Sequence, residues 1–105
     1  MFLIRDIMYC KPGKVRPLVE KFKKVNEIGT KLGFPYSKIM TDFSAERFWT
    51  VVVEFEVESL EAFEKMFSGS MEGQNPDLAR QFEEAMKGYH DLVDHGRREI
   101  YKLEG

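Results

Sequence analysis

Along this chain the apolar residues change their spacing from every second residue to every third or fourth and back again, and the order of these changes leaves few folds open. Phe2–Cys10 is rich in strand formers and is cut off by Lys11-Pro12-Gly13, which predicts a first strand with a sharp exit. Val15, Leu18, Val19, Phe22, Val25, Ile28 and Leu32 then recur at helical steps, the stripe of a helix that buries one side. Pro17 falls in its first turn, where no amide is needed, and Gly33 is placed to end it.

Two extended runs follow, Phe34–Phe43 and Phe48–Val57, joined by Ser44, Ala45, Glu46 and Arg47. Runs so close in sequence are expected to pair as an antiparallel hairpin. Ser59 can cap a short helix carrying Leu60, Phe63 and Phe67, and the Gly- and Ser-rich stretch from Ser68 to Gln74 breaks it. That stretch reads equally as a plain connector or as a lid. Asn75-Pro76-Asp77 restarts a helix whose stripe is Leu78, Phe82, Ala85, Met86, Tyr89, Leu92 and Val93, with Gly96 placed to stop it. Arg97–Leu103 supplies the last strand. The sum is an α+β, ferredoxin-like βαββαβ order: a four-stranded antiparallel sheet with strands one and three central and the helices on one face. At 105 residues there is room for one such domain, 1–105.

Charge and cysteine content exclude several classes. The net charge of −2 offers no general attraction to nucleic acid. The basic first third and acidic middle read as solvated helix faces. Cys10 is the single cysteine, which rules out an intrachain disulfide and a cysteine-built zinc site and suggests a reducing, cytoplasmic setting. Arg5 and Asp6 interrupt the apolar start, so neither a signal peptide nor a membrane span is expected there. Nothing resembles a phosphate loop, nucleotide fingerprint or nucleophile elbow.

A sheet with helices on one face leaves its other face bare, and here both faces carry apolar groups. If Trp49, Val51, Val53 and Phe55 face the helices, Phe48, Thr50 and Val52 point away. Exposed apolar surface of this kind predicts an interface, and therefore a homodimer through the sheet face. The Lys11-Pro12-Gly13-Lys14 link, the Trp49–Val57 strand and the ending Gly96-Arg97-Arg98-Glu99-Ile100-Tyr101 resemble the NIPSNAP-like and antibiotic-biosynthesis-monooxygenase-like small domains of the dimeric α/β barrel superfamily. That resemblance implies a homodimer with a ligand pocket between each sheet and its helices. It implies no single chemistry, since such domains include haem-degrading and quinol monooxygenases, isomerases, cyclases and proteins without known activity. The haem-degrading branch uses an Asn, a Trp and a helical His. This chain has Asp6 in strand one, with Trp49 and His90 as partial counterparts.

Within that frame His90 is the candidate catalytic residue, as a general base or ligand contact; its bland alternative is a half-buried boundary histidine. Tyr9, Tyr36, Trp49, Met86 and Tyr89 are candidate ligand-binding residues, or alternatively core. On a continuous helix His90 would face Asp94, and Asp91 would face His95, but two further metal ligands are missing, so neither metal nor other cofactor is expected. Two functions remain open. One is a cofactor-independent monooxygenase or isomerase acting on an aromatic or quinone-like compound. The other is a non-catalytic ligand-binding or sensing homodimer, with haem binding through His90 the remotest reading.

Overall fold

The computed structural model describes residues 1–67 and 75–105; the predicted connector over 68–74, and with it the lid reading, lies outside them, as does the side chain of Phe67. The elements are β1 (Phe2–Cys10), α1 (Val15–Lys31), β2 (Lys38–Thr41), β3 (Thr50–Val57), α2 (Leu60–Phe67), α3 (Pro76–Met86), a single 3₁₀ turn at Tyr89–Asp91 and β4 (Val93–Lys102). The strands form one antiparallel sheet in the order β2-β3-β1-β4, which places strands one and three at the centre as the element order predicts.

The helix starts are chosen locally. Ser59 Oγ accepts the Ala62 amide at 3.0 Å and Asn75 Oδ1 accepts those of Asp77 and Leu78 at 2.9 and 3.3 Å, which satisfies donors that no helical carbonyl can reach. All three helices lie on one side of the sheet. Leu18 and Val19 of α1 bury against Cys10, Val51 and Val53. Phe63 and Met66 of α2 cover Ile4, Phe55 and Val57. Ile4, Leu18 and Val51 are fully buried, each stabilising the fold by about 1.5–3 kcal/mol relative to an exposed side chain. Helix α3 takes a different partner: Ala85, Leu78 and Phe82 pack on Val25 and Ile28 of α1 and on Leu32 just past its end. Because α3 leans on α1 rather than on the strands, a space is left between α3 and the sheet.

Three predicted boundaries are corrected. Gly96 does not stop a helix. Helix α3 ends at Met86, Gly88 follows at φ +82°, and Gly96 sits inside β4 opposite Met8. The left-handed backbone at Gly88 turns the chain out of the helix, and Lys21 Nζ donates to the freed carbonyls of Ala85 and Lys87 at 3.2 and 2.6 Å. Tyr89, Leu92 and Val93 still pack on the core as the stripe requires, but from a turn and a strand. His90 and Asp94 are therefore not helical neighbours, nor are Asp91 and His95. Trp49 is the second correction: it precedes β3, has φ +62° and is 46% exposed, so it does not continue the helix-facing row of Val51, Val53 and Phe55. Third, β2 keeps only Lys38–Thr41 of the predicted run over 34–43.

The open sheet face is more polar than predicted. Thr50 and Val52 do point there with Ile7, Tyr9 and Met40, but a chain of charges runs across them. Arg5 Nε donates to Glu54 at 2.9 Å, Arg97 Nε to Glu99 at 3.0 Å, and Tyr101 Oη to Glu99 at 2.9 Å. Arg47 lies over the Tyr9 ring, and Arg97 hydrogen-bonds the Tyr9 hydroxyl. Single-chain arginines thus already cover part of the apolar surface. Among the described residues no helix is long and apolar enough to cross a membrane.

Candidate functional site

The space under α3 is a cleft of about 530 Å³. Met8 of β1, Val53 and Phe55 of β3 and Gly96 of β4 form its floor; Phe22, Val25 and Gly29 of α1 and Phe82 and Met86 of α3 form its walls. Gly29 lies where the two helices and the following loop meet; a Cβ on it would make ordinary contacts of 3.4 Å with the Phe82 ring and 3.5 Å with the Phe34 ring. Phe34 and Phe82 meet edge to face at 5.3 Å, a favoured aromatic geometry. The loop from α1 to β2 is pinned by Asn26, whose side chain donates to the Ser37 carbonyl at 2.9 Å and accepts its amide at 3.0 Å.

Polar groups gather at the β4 side. Asp6 and Arg98 face each other across the β1–β4 register and pair through two parallel bonds, Nε–Oδ1 at 2.5 Å and Nη2–Oδ2 at 3.1 Å. The Asp6 hydrogen bond raises the guanidinium pKa above its already high ordinary value, with burial opposing. The same guanidinium lies 5.0 Å above the Phe63 ring. His90 lines the mouth, stacked on Tyr89 with ring centroids 3.9 Å apart.

Of the residues singled out by sequence, His90, Met86 and Tyr89 come together in this cleft. The other three do not join them. Tyr9 is on the opposite face of the sheet, 9% exposed, among Arg47, Arg97 and His95. Tyr36 is 72% exposed on the α1–β2 loop, and Trp49 stands on the β2–β3 connection. The reason for Tyr9 is strand parity: Asp6 and Met8 point to the helices, so Tyr9 cannot. The sequence reading missed Asp6 and Arg98, although an acid sharing a face with Ile4 and Met8 was a visible signal.

A second polar cluster borders the cleft near the start of β4, where Asp94 and His95 line it. Arg47 Nη1 donates to His95 Nε2 at 2.9 Å, so His95 carries its proton on Nδ1, which faces Asp94 Oδ2 at 2.7 Å. Burial pushes the Cys10 thiol above its ordinary pKa, which keeps it protonated and a poor nucleophile. Among the described residues no group of three or more His, Cys, Asp or Glu is arranged to hold a metal ion.

No protein-family model matches the sequence, and no curated protein matches it. Solved structures do. An uncharacterized NIPSNAP domain protein from Burkholderia xenovorans superposes with a TM-score of 0.72 at 13% identity, covering 98% of this chain and 94% of that one. A NIPSNAP family protein from Agrobacterium tumefaciens gives 0.71 at 10% identity, over 96% of this chain and 90% of that one. A structure described as an antibiotic biosynthesis monooxygenase gives 0.71 at 9% identity over the full length of both chains. This chain has their fold. The resemblance read from the strand-one exit, the Trp49–Val57 strand and the C-terminal strand is thus borne out as architecture, and identities this low carry the likeness no further than the fold.

Proposed function

We propose that this protein binds a small, largely apolar organic compound in the cleft between its sheet and α3, and that it does so as a homodimer paired through the open sheet face. The observation that carries the ligand reading is the cleft itself: about 530 Å³ walled mainly by aromatic and aliphatic side chains, with His90 and the Asp6–Arg98 pair at one end. This is the usual make-up of a small-molecule site. The probe is the uncharged fluorophore N-phenyl-1-naphthylamine. Saturable binding of one molecule per chain is expected, together with a loss of tenfold or more in Val25→Trp, whose indole would occupy the cleft. Wild-type protein without saturable binding, or a Val25→Trp variant that binds as well as wild type, refutes the assignment.

Turnover of an aromatic or quinone-like compound by oxygen insertion or isomerisation, without a cofactor, is the catalytic form of the same proposal. Its support is the neighbour described as an antibiotic biosynthesis monooxygenase and the placement of His90 at the cleft mouth. Oxygen uptake over a panel of phenols and quinols, lost in His90→Ala, is the expected result. Binding without uptake or isomerisation favours the sensing form. The dimer rests on Ile7, Tyr9, Val52 and Met40 sharing one uncovered sheet face. Sedimentation at micromolar concentration should report two chains, and Val52→Lys should separate them, because a lysine would enter a closely packed interface. A folded wild-type monomer overturns this part.

A further inference from the structure

Asp6 stands in the middle of a central strand on the side that faces the helices, between Ile4 and Met8. A carboxylate there, 24% exposed, loses most of its hydration, and Arg98, directly opposite it on β4 and 42% exposed, supplies a pair in a two-bond fork. The consequence concerns what the cleft can accept. Among the described residues two other charged side chains line it, and each already has an opposite partner or proton donor: Asp94 faces His95 Nδ1 at 2.7 Å, and Arg97 holds Glu99 at 3.0 Å. An anionic ligand entering beside Asp6 would give up its water and meet a guanidinium whose charge is already balanced by a carboxylate. Little of its desolvation cost would be recovered. A hydroxyl or carbonyl loses far less on entry, and it can share the oxygen lone pairs of Asp6 or an N–H of Arg98.

We infer that the cleft selects uncharged ligands over carboxylates and sulfonates, and that Asp6 is the residue that sets this selectivity. The inference rests on the cleft being a ligand site and adds the class of ligand. Replacing Asp6 by Asn keeps the size of the side chain and its capacity to hydrogen-bond but removes one negative charge from beside Arg98. The selectivity of the cleft should then shift toward anions.

Two probes with nearly the same ring system separate the outcomes: uncharged N-phenyl-1-naphthylamine and anionic 8-anilino-1-naphthalenesulfonate. Each is titrated by fluorescence against wild-type protein, Asp6→Asn, Arg98→Gln and the double variant, with circular dichroism to verify folding. Asp6→Asn should shift the ratio of the two affinities toward the anion by about tenfold, the scale of one charge-assisted hydrogen bond. Arg98→Gln should shift it the other way, and the double variant should return near the wild-type ratio. If Asp6→Asn does not fold, the weakening of anion binding in Arg98→Gln decides the matter. Ratios within twofold of wild type in both folded single variants overturn the inference and leave the cleft assignment standing. Failure of every variant and of the wild type to bind either probe overturns both.

Discussion

The sharpest structural prediction is the cost of a single methyl group at Gly96. This residue lies in β4 opposite Met8, next to the point where the β1–β4 register shifts between Tyr9 and Cys10. A Cβ built on it would stand 2.5 Å from the Ile7 carbonyl oxygen, 3.3 Å from Met8 Cα and 3.5 Å from the Ile7 carbonyl carbon. All three are backbone atoms of a central strand, so no side-chain rotation relieves the contact. Reaching even 3.0 Å from the oxygen requires the strands to part by 0.5 Å (3.0 − 2.5). Such overpacking costs about 1–3 kcal/mol, and straining a ladder hydrogen bond adds about 1 kcal/mol. The intrinsic gain of alanine over glycine in a strand, about 0.5–1 kcal/mol, offsets only part of this. A net loss of about 1–3.5 kcal/mol is a sizeable share of the 5–15 kcal/mol typical of a domain, and it lowers Tm by about 5–20 °C for a chain of this size. Thermal melts of Gly96→Ala by circular dichroism measure it. Gly13→Ala is the control, since Gly13 has φ +78° but nothing within 4 Å of a built Cβ; it should lose only the left-handed backbone penalty of about 1–2 kcal/mol. A Gly96→Ala protein that melts within 2 °C of wild type, or above it, refutes the steric argument.

Two other expectations follow from the same geometry. Lys21→Met removes the donor that caps the Ala85 and Lys87 carbonyls at the end of α3; a loss of about 1 kcal/mol, or roughly 5 °C in Tm, should appear in the same melts, and an unchanged Tm would show that solvent caps this helix equally well. Glu99 is held below its ordinary value of 4.5 by hydrogen bonds from Arg97 and Tyr101. With the folded value below the unfolded one, its contribution is complete above 4.5 and disappears as pH falls through the folded value. Glu99→Gln should therefore lose stability relative to wild type near neutral pH, with a deficit that shrinks as pH falls below 4.5. A deficit that is the same above and below 4.5 would contradict the assignment.

Elements whose signal is local were legible in the sequence. The Val15–Leu32 stripe specifies α1 because a helix buries one side in steps of three and four, and Ser59 and Asn75 start helices because their oxygens reach amides two or three residues on. The order of these elements then leaves the ferredoxin-like sheet as the arrangement that covers the helix-facing apolar row. Local signals misplaced the end of α3 for a definite reason. Gly96 looks like a helix stop, and the apolar residues Tyr89, Leu92 and Val93 satisfy the core equally from a helix or from a turn and strand. The choice was made by β1, whose nine residues need a partner strand reaching from Lys102 back to Val93.

The site was legible only in part. His90, Met86 and Tyr89 could be gathered because they are near neighbours in sequence, but Tyr9, Tyr36 and Trp49 were grouped with them as aromatics without knowledge of which way each backbone faces. Sequence by itself determined the kinds of element and their order, while both faces of strand one carried apolar residues and left open which of them, and so whether Asp6, would face the helices. Tertiary structure alone decided that Asp6 would find Arg98, a residue 92 positions away, and that α3 would rest on α1 and leave a cleft over the sheet. Both depend on strand register and helix packing, which are settled by contacts between distant segments and leave no periodic trace within any one of them.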